Sequence, residues 1–305
     1  IVAGLLLGRV DSPPLVILVH FGFMLLAATA FLTLRARTLL VLSVVWAVAV
    51  PTLSFLVRTG PAGSDGSPQL PGPLWILQPL VNLGLTSSYP VLIWLAYLFV
   101  GLAIGRSGLD VARRPLHLVV VGAAVAVIGK AASLFLLAAA GGADRLAAYT
   151  EGLSIYAPDM ATQLSAGLPG TTPTTDWRWL LVSAPHSSTT FDLLHTGGAA
   201  VAILGLCLLL VRLIGRRTVL PLVAAGSMTL TLYTAHVLAL WREGPLLLDD
   251  PLLLYLAHVG VAVAVALLWR SYVGRGPLEW AASRCDRMAR AAVAPLLVTT
   301  RLSAR

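Results

Sequence analysis

Seven oily stretches constrain this chain more than any other feature: Leu15–Leu34, Thr38–Val57, Tyr89–Gly105, Leu118–Ala140, Leu194–Val211, Val219–Leu240 and Leu252–Trp269. A bilayer core takes about 20 apolar residues as helix, because in lipid each backbone N–H and C=O must be paired within its own segment. The pattern predicts an all-α, polytopic transmembrane helix bundle with seven full spans. The opening residues IVAGLLLG read as the remnant of a further helix that starts upstream of Ile1. Residues 1–276 are expected to form one bundle with two long outer loops, 58–88 and 141–193. Residues 277–305 are expected to form a basic, amphipathic tail.

Of 305 residues, 58% are apolar and 11% charged, too little charge for the surface of a soluble domain. A net charge of +8 would suit nucleic acid, but the arginines sit in short clusters between oily runs, so no nucleic-acid partner is expected. With the Arg35/Arg37 turn in the cytoplasm, that side collects 15 basic and 3 acidic residues, and the other side 5 basic and 10 acidic. The positive-inside rule then predicts a multi-pass protein of the inner (plasma) membrane with a cytoplasmic C-terminus. Trp75, Trp177, Trp179 and Trp241 fall at the outer interface and Trp269 and Trp280 at the inner one, as in aromatic belts. Cys207 and Cys285, one in a span and one in the tail, predict no disulfide framework.

In the first outer loop PLWILQPLVNLGL reads as an interfacial or re-entrant segment, and the second contains DWRWLLVSAPHSSTTFDLL. Loops of this length carry function more often than not. The tail spaces Arg284, Arg287 and Arg290 three apart, suiting a helix laid on an anionic membrane surface.

The chain has no GxGxxG, Walker A, HExxH, CxxC or GxSxG motif. Attention therefore passes to polar side chains at membrane depth, which are costly. Lys130 lies near the middle of its span with no carboxylate expected beside it. It either faces a cavity that receives an anionic group or snorkels onto neighbouring carbonyls. In AAGSMTLTLYTAHVLAL, Thr229, Tyr233 and His236 share one helix face, with Ser227, Thr231 and Thr234 on an adjacent one. These groups either line a cavity, with His236 as catalytic base, or join helices by hydrogen bonds. His186, Asp192 and His195 cluster at the start of the fifth span. They lack a further convergent ligand, so no metal is expected. Asp192 either contacts substrate or caps its helix. His20 and His258 read as packing residues.

Four stretches together carry a resemblance: VILVHFGFMLLAATAFLTLRARTLLVLS, SSYPVLIWLAYLFVGLAIGR, PHSSTTFDLLHTGGAAVAILGLCLLL, and GSMTLTLYTAHVLAL with the later GPLEW. They resemble bacterial membrane proteins related to heparan-α-glucosaminide N-acetyltransferase and their YeiB-like neighbours. The resemblance implies a bundle of about ten or eleven helices. It also implies acyl transfer from acetyl-CoA in the cytoplasm to a glycan or lipid-linked sugar on the far side. The family's catalytic histidine would precede Ile1, so no residue here is matched to it, and His195 stands where the family pattern has a small residue.

The expectation is therefore a membrane-bound acyltransferase with acetyl-CoA as donor. His236 would be the catalytic candidate, with Tyr233, Thr229, Ser227, Lys130 and Asp192 binding substrate. Membrane lipids and the sugar acceptor are the expected partners, and assembly of identical copies is compatible with it. The alternatives are a transporter or flippase for an amphipathic envelope precursor and a non-catalytic membrane subunit.

Overall fold

A computed structural model describes all residues except 11–14, 60–69, 71, 108–113, 148–159, 244–249 and 303–305. The Gly/Pro/Ser stretch of the first outer loop and the centre of the second thus lie mostly outside the described residues. Among those described, every regular element is helical. Four helices are long and apolar enough to cross a membrane, and up to six spans result if each of two bent helix pairs is one span. The chain is a multi-pass membrane protein. Its helices fall into two compact units: residues 1–4 and 17–209, and residues 5–16 and 210–305.

The first unit begins with α1 (Val2–Leu7), which runs into the second, followed by α2 (Leu18–Thr29) and α3 (Ala36–Arg58). The expected first span is shorter than the oily run. α2 has 12 residues, and at Ala30 the chain passes into turns with i→i−3 hydrogen bonds. Pro51 lies inside α3 and has no N–H to give Ala47. The freed Ala47 carbonyl accepts instead from Thr190 Oγ1 at 2.8 Å. A proline is tolerated there because a distant hydroxyl replaces the missing bond.

The PLWILQPLVNLGL segment forms a 3₁₀ turn, α4 (Gln78–Val81) and a π turn over Asn82–Thr86. It meets α5 (Val91–Arg106) at 52°, as a broken span or a re-entrant loop. Side chains of α3 tie the two together: Ser43 Oγ donates to Ala96 O, Trp46 Nε1 to Leu92 O and Ser54 Oγ to Leu85 O. Such bonds are how helices adhere where lipid leaves no hydrophobic drive between them.

α6 (Pro115–Ala139) packs on the first part of α9 (Thr190–Thr218) through small residues. Gly122 and Ala126 of α6 lie against the backbone of Gly198 and Ala202, and Gly205 lies against Pro115 and Val119. Between these helices come α7 (Gly142–Ala147), α8 (Met160–Ala166) and a 3₁₀ turn, Trp177–Leu181. Trp179, expected in the outer aromatic belt, is 1% exposed and packs in the core with Phe55, Leu137, Leu146 and Val182. The loop folds back on the helix ends, so its tryptophan is covered by protein. Trp75 and Trp177 are exposed, as a belt requires.

In the second unit the expected continuous helix Val219–Leu240 is broken. α10 (Leu220–Gly226) and α11 (Thr229–Glu243) meet at 78°. α12 (Pro251–Tyr272) starts with Asp250 accepting from the N–H groups of Leu252 and Leu253 and with Pro251 in the first turn, a strong start signal. α13 (Pro277–Leu302) is the tail helix. At the break, the first N–H groups of α11 have no intrahelical partner. Glu279 of α13 supplies one: its carboxylate accepts from Thr231 N at 3.1 Å and Thr231 Oγ1 at 2.5 Å, and Leu278 N donates to the same hydroxyl at 3.2 Å. A methyl on Gly276 would occupy the place of the Glu279 carboxylate, 2.2 Å from Oε2.

Partial burial pulls the Glu279 pKa upward, but the bonds from Thr231 outweigh it and hold the group below its ordinary 4.5. A folded-state pKa held down means that the clasp contributes fully above that ordinary value and is lost as pH falls through the lower folded one. A spin label on Cys285, which is exposed on α13, with Cys207 replaced by Ala, tests this. The label should gain mobility on acidification below pH 4.5, and Glu279→Gln should be mobile already at pH 7. A label equally rigid in both proteins would contradict the clasp.

Candidate functional site

The most polar interior of the first unit lies at the start of α9, where the chain reads PHSSTTFDLLHT. Thr189 is the N-cap: its Oγ1 accepts from Asp192 N at 3.1 Å, and Asp192 Oδ2 accepts from Ser188 N at 3.0 Å. This is a capping-box arrangement shifted by one residue. It explains why a Thr-x-x-Asp sequence starts a helix here, and it realises the capping role expected of Asp192. It uses only one carboxylate oxygen, however. Oδ1 is buried and has no hydrogen-bond partner among the described residues, in a side chain 4% exposed. Buried polar atoms are nearly always paired, so an orphaned carboxylate oxygen marks a place where something else is bound or protonated.

The charges acting on Asp192 are those of His186, His195 and Lys130. Lys130, expected to have no carboxylate at its depth, is thus within electrostatic reach of one. Asp192 begins a span in sequence, but the folded-back loop buries that helix start. Lys130 Nζ also donates to Ser183 O at 3.3 Å and lines a cavity of about 340 Å³ whose walls are mainly Leu, Ala and Val, with Ser133, Ser165 and Ser183 among them. His195 Nδ1 lies 3.1 Å from Ala126 O. A carbonyl only accepts, so Nδ1 carries the proton and Nε2 of the neutral ring keeps its lone pair. Tyr97 lies 2.5 Å from Thr196 Oγ1, which itself donates to Asp192 O.

Beside this cluster stands an aromatic group absent from the sequence-based site. His186 is exposed, stacks on Trp94 and meets Tyr89 edge-on; Trp94 also contacts Tyr97, and Tyr89 contacts His20. Trp94 Nε1 donates to Ser188 Oγ. His186 and Ser188 both have left-handed backbones, φ 57° and 54°, a costly conformation for non-glycine residues that recurs at functional sites. The available signal was Trp94 and Tyr97 three apart on one helix face, hidden in a run that reads as membrane span. Arg58, counted from sequence among the outer-side charges, ends α3. It donates to Ser54 Oγ and to the Thr172 carbonyl inside the unit.

The other expected residues belong to the second unit. Ser227 sits at the break and accepts from Arg270 Nη1 at 3.0 Å. Thr229 begins α11, with Tyr233 and His236 four and seven residues on. His236 meets His258 edge-on at 5.0 Å, so His258 is no lone packing residue. The two imidazoles line a cavity of about 270 Å³ whose other walls are Leu, Ala and Val. The hydroxyls expected to share one hollow are divided: Thr231 is clasped by Glu279, Ser227 is bound by Arg270, and Thr234 Oγ1 is buried without a hydrogen-bond partner among the described residues. No group of three His, Cys, Asp or Glu among the described residues could hold a metal ion.

No protein family, characterised protein or solved structure matches this chain.

Proposed function

We propose that the chain is a membrane-bound acyltransferase that works at the Asp192 cluster. It takes an acyl group, acetyl by the family resemblance, from a cytoplasmic acyl-CoA and passes it to an extracytoplasmic glycan or lipid-linked sugar. The observation that carries this reading is the buried, half-paired Asp192 carboxylate among Lys130, His186 and His195, beside an aromatic face. In the transfer the acceptor's oxygen or nitrogen attacks the thioester carbonyl. The C–S bond breaks, and the acceptor proton passes through a base to the leaving thiolate. His195, whose Nε2 carries the lone pair when the ring is neutral, is the base and Asp192 supports its charged form. Lys130 stabilises the oxyanion or the donor's negative charge. The Trp94/His186 face suits the C–H face of a sugar ring. The finer topology belongs to the same reading: seven crossings, with α2 extended by the turns after Ala30, arginine-rich turns and the C-terminus in the cytoplasm, and the inner membrane as location.

The test is transfer of radiolabelled acetyl from acetyl-CoA to envelope glycans by the full-length protein in nanodiscs. His195→Ala should lower transfer by about 10²–10⁴-fold, the range for a lost general base. His236→Ala, in its apolar cavity, should lower it by less than about tenfold. The reverse order would move the catalytic centre to α11.

A second reading has an observation of its own. Each unit contains one bent helix pair, at 52° and 78°, and helices broken within a span are common in transporters. Flux of a labelled envelope precursor into proteoliposomes without any acyl donor would favour that reading over transfer.

A further inference from the structure

At the arginine-rich end of α12 the second unit has an open hollow of about 560 Å³ with walls of Arg270, Arg275, Ser227, Ser283 and Glu279. The groups arrive from four places. Arg270 comes from the last turn of α12 and Ser227 from the α10/α11 break. Arg275 comes from the hairpin between α12 and α13, and Ser283 from the second turn of α13. Gly274, at φ 101°, lets that hairpin reverse and bring Arg275 to the wall. Arg270 donates to Ser227 Oγ and Arg275 to Ser283 Oγ, at 3.0 and 3.5 Å. Neither guanidinium has an ion pair among the described residues, and the one carboxylate in the wall is occupied by Thr231. Two like charges held around one hollow, each already steadied by a hydroxyl, make a site for a doubly hydrogen-bonding anion, which is the geometry of phosphate recognition.

What carries the phosphate is indicated by the position of the pocket. Arg270 stands in the last turn of a helix long and apolar enough to cross a membrane, and Arg275 follows just beyond its end, where an apolar span gives way to the headgroup layer. Basic pockets at the ends of membrane helices select anionic headgroups.

We propose that the Arg270/Arg275 pocket binds the phosphate of an anionic membrane lipid. The site is independent of the Asp192 cluster and stands whether or not acyl transfer takes place.

Lipid retained by the full-length protein in detergent, measured by native mass spectrometry after exposure to equal phosphatidylglycerol and phosphatidylcholine, tests it. The unaltered protein should retain phosphatidylglycerol preferentially. Arg275→Gln, at the exposed hairpin where folding is least at risk, should reduce that retention about tenfold, as expected when one charge-assisted hydrogen bond is removed. Equal retention of the two lipids would overturn the proposal. So would displacement of phosphatidylglycerol by millimolar pyrophosphate, which would make the pocket a site for soluble phosphates.

Discussion

Asp192→Asn is expected to abolish acyl transfer, by about 10²–10⁴-fold, while leaving the protein folded in the membrane. The asymmetry follows from the two carboxylate oxygens. An asparagine Oδ1 can still accept from Ser188 N, so the capped start of α9 survives the change. What disappears is the negative charge facing His186, His195 and Lys130. With the carboxylate gone, the imidazolium formed at His195 loses its support and Lys130 is left as an uncompensated cation. Transfer assays paired with thermal melting in nanodiscs separate the outcomes. Lost activity with an unchanged melting temperature supports a chemical role. Loss of both together would reduce Asp192 to a helix cap. Full activity in the variant would remove the proposed centre altogether.

Gly198→Leu is expected to disrupt the architecture of the first unit. A Cβ at Gly198 would lie 2.5 Å from Ala126 N and 2.7 Å from Gly122 O, and one at Gly122 would lie 2.4 Å from Ala202 N. These neighbours are backbone atoms of a packed helix and cannot swing away. The two helices must separate, at a cost of about 1–3 kcal/mol for overpacking, to which the weakened dispersion attraction along the seam adds. Because Lys130 is on α6 and Asp192 and His195 are on α9, separation also pulls the cluster apart. Size-exclusion profiles in mild detergent should show loss of the monodisperse species for Gly198→Leu. Gly101→Leu, where nothing lies within 4 Å of the added carbon, should be tolerated. Indistinguishable profiles for the two variants would mean that the close approach of α6 and α9 is not what holds this unit.

The long spans were legible because α3, α6, α9 and α12 satisfy nearly all of their own backbone, the Ala47 carbonyl of α3 excepted, so composition over twenty residues suffices to find them. The break between α10 and α11 was not. The freed N–H of Thr231 is satisfied by Glu279, more than forty positions away, and averaged hydropathy is blind to distant partners. The same limit explains Trp179, whose burial depends on a loop returning to Phe55 and Leu137. Within the candidate site, Asp192 and Lys130 stood out individually as costly residues at or near membrane depth. Their nearness to each other depends on how α6 meets α9, which their separation of 62 residues does not encode. The Trp94 face was masked because an aromatic residue in a span reads as oil until a partner such as His186 is seen against it.

The bond from Thr190 to Ala47 has a mechanical consequence. A helix with a missing rung bends easily at that point, and here the rung is borrowed from the turn that carries Asp192. Drawing that turn outward would leave a bare carbonyl facing hydrocarbon, a penalty of about 1–3 kcal/mol by the yardstick of protein substitutions. The joint in α3 is therefore coupled to that turn: the same bond opposes movement at the mouth of the site and flexing of α3, by about that penalty.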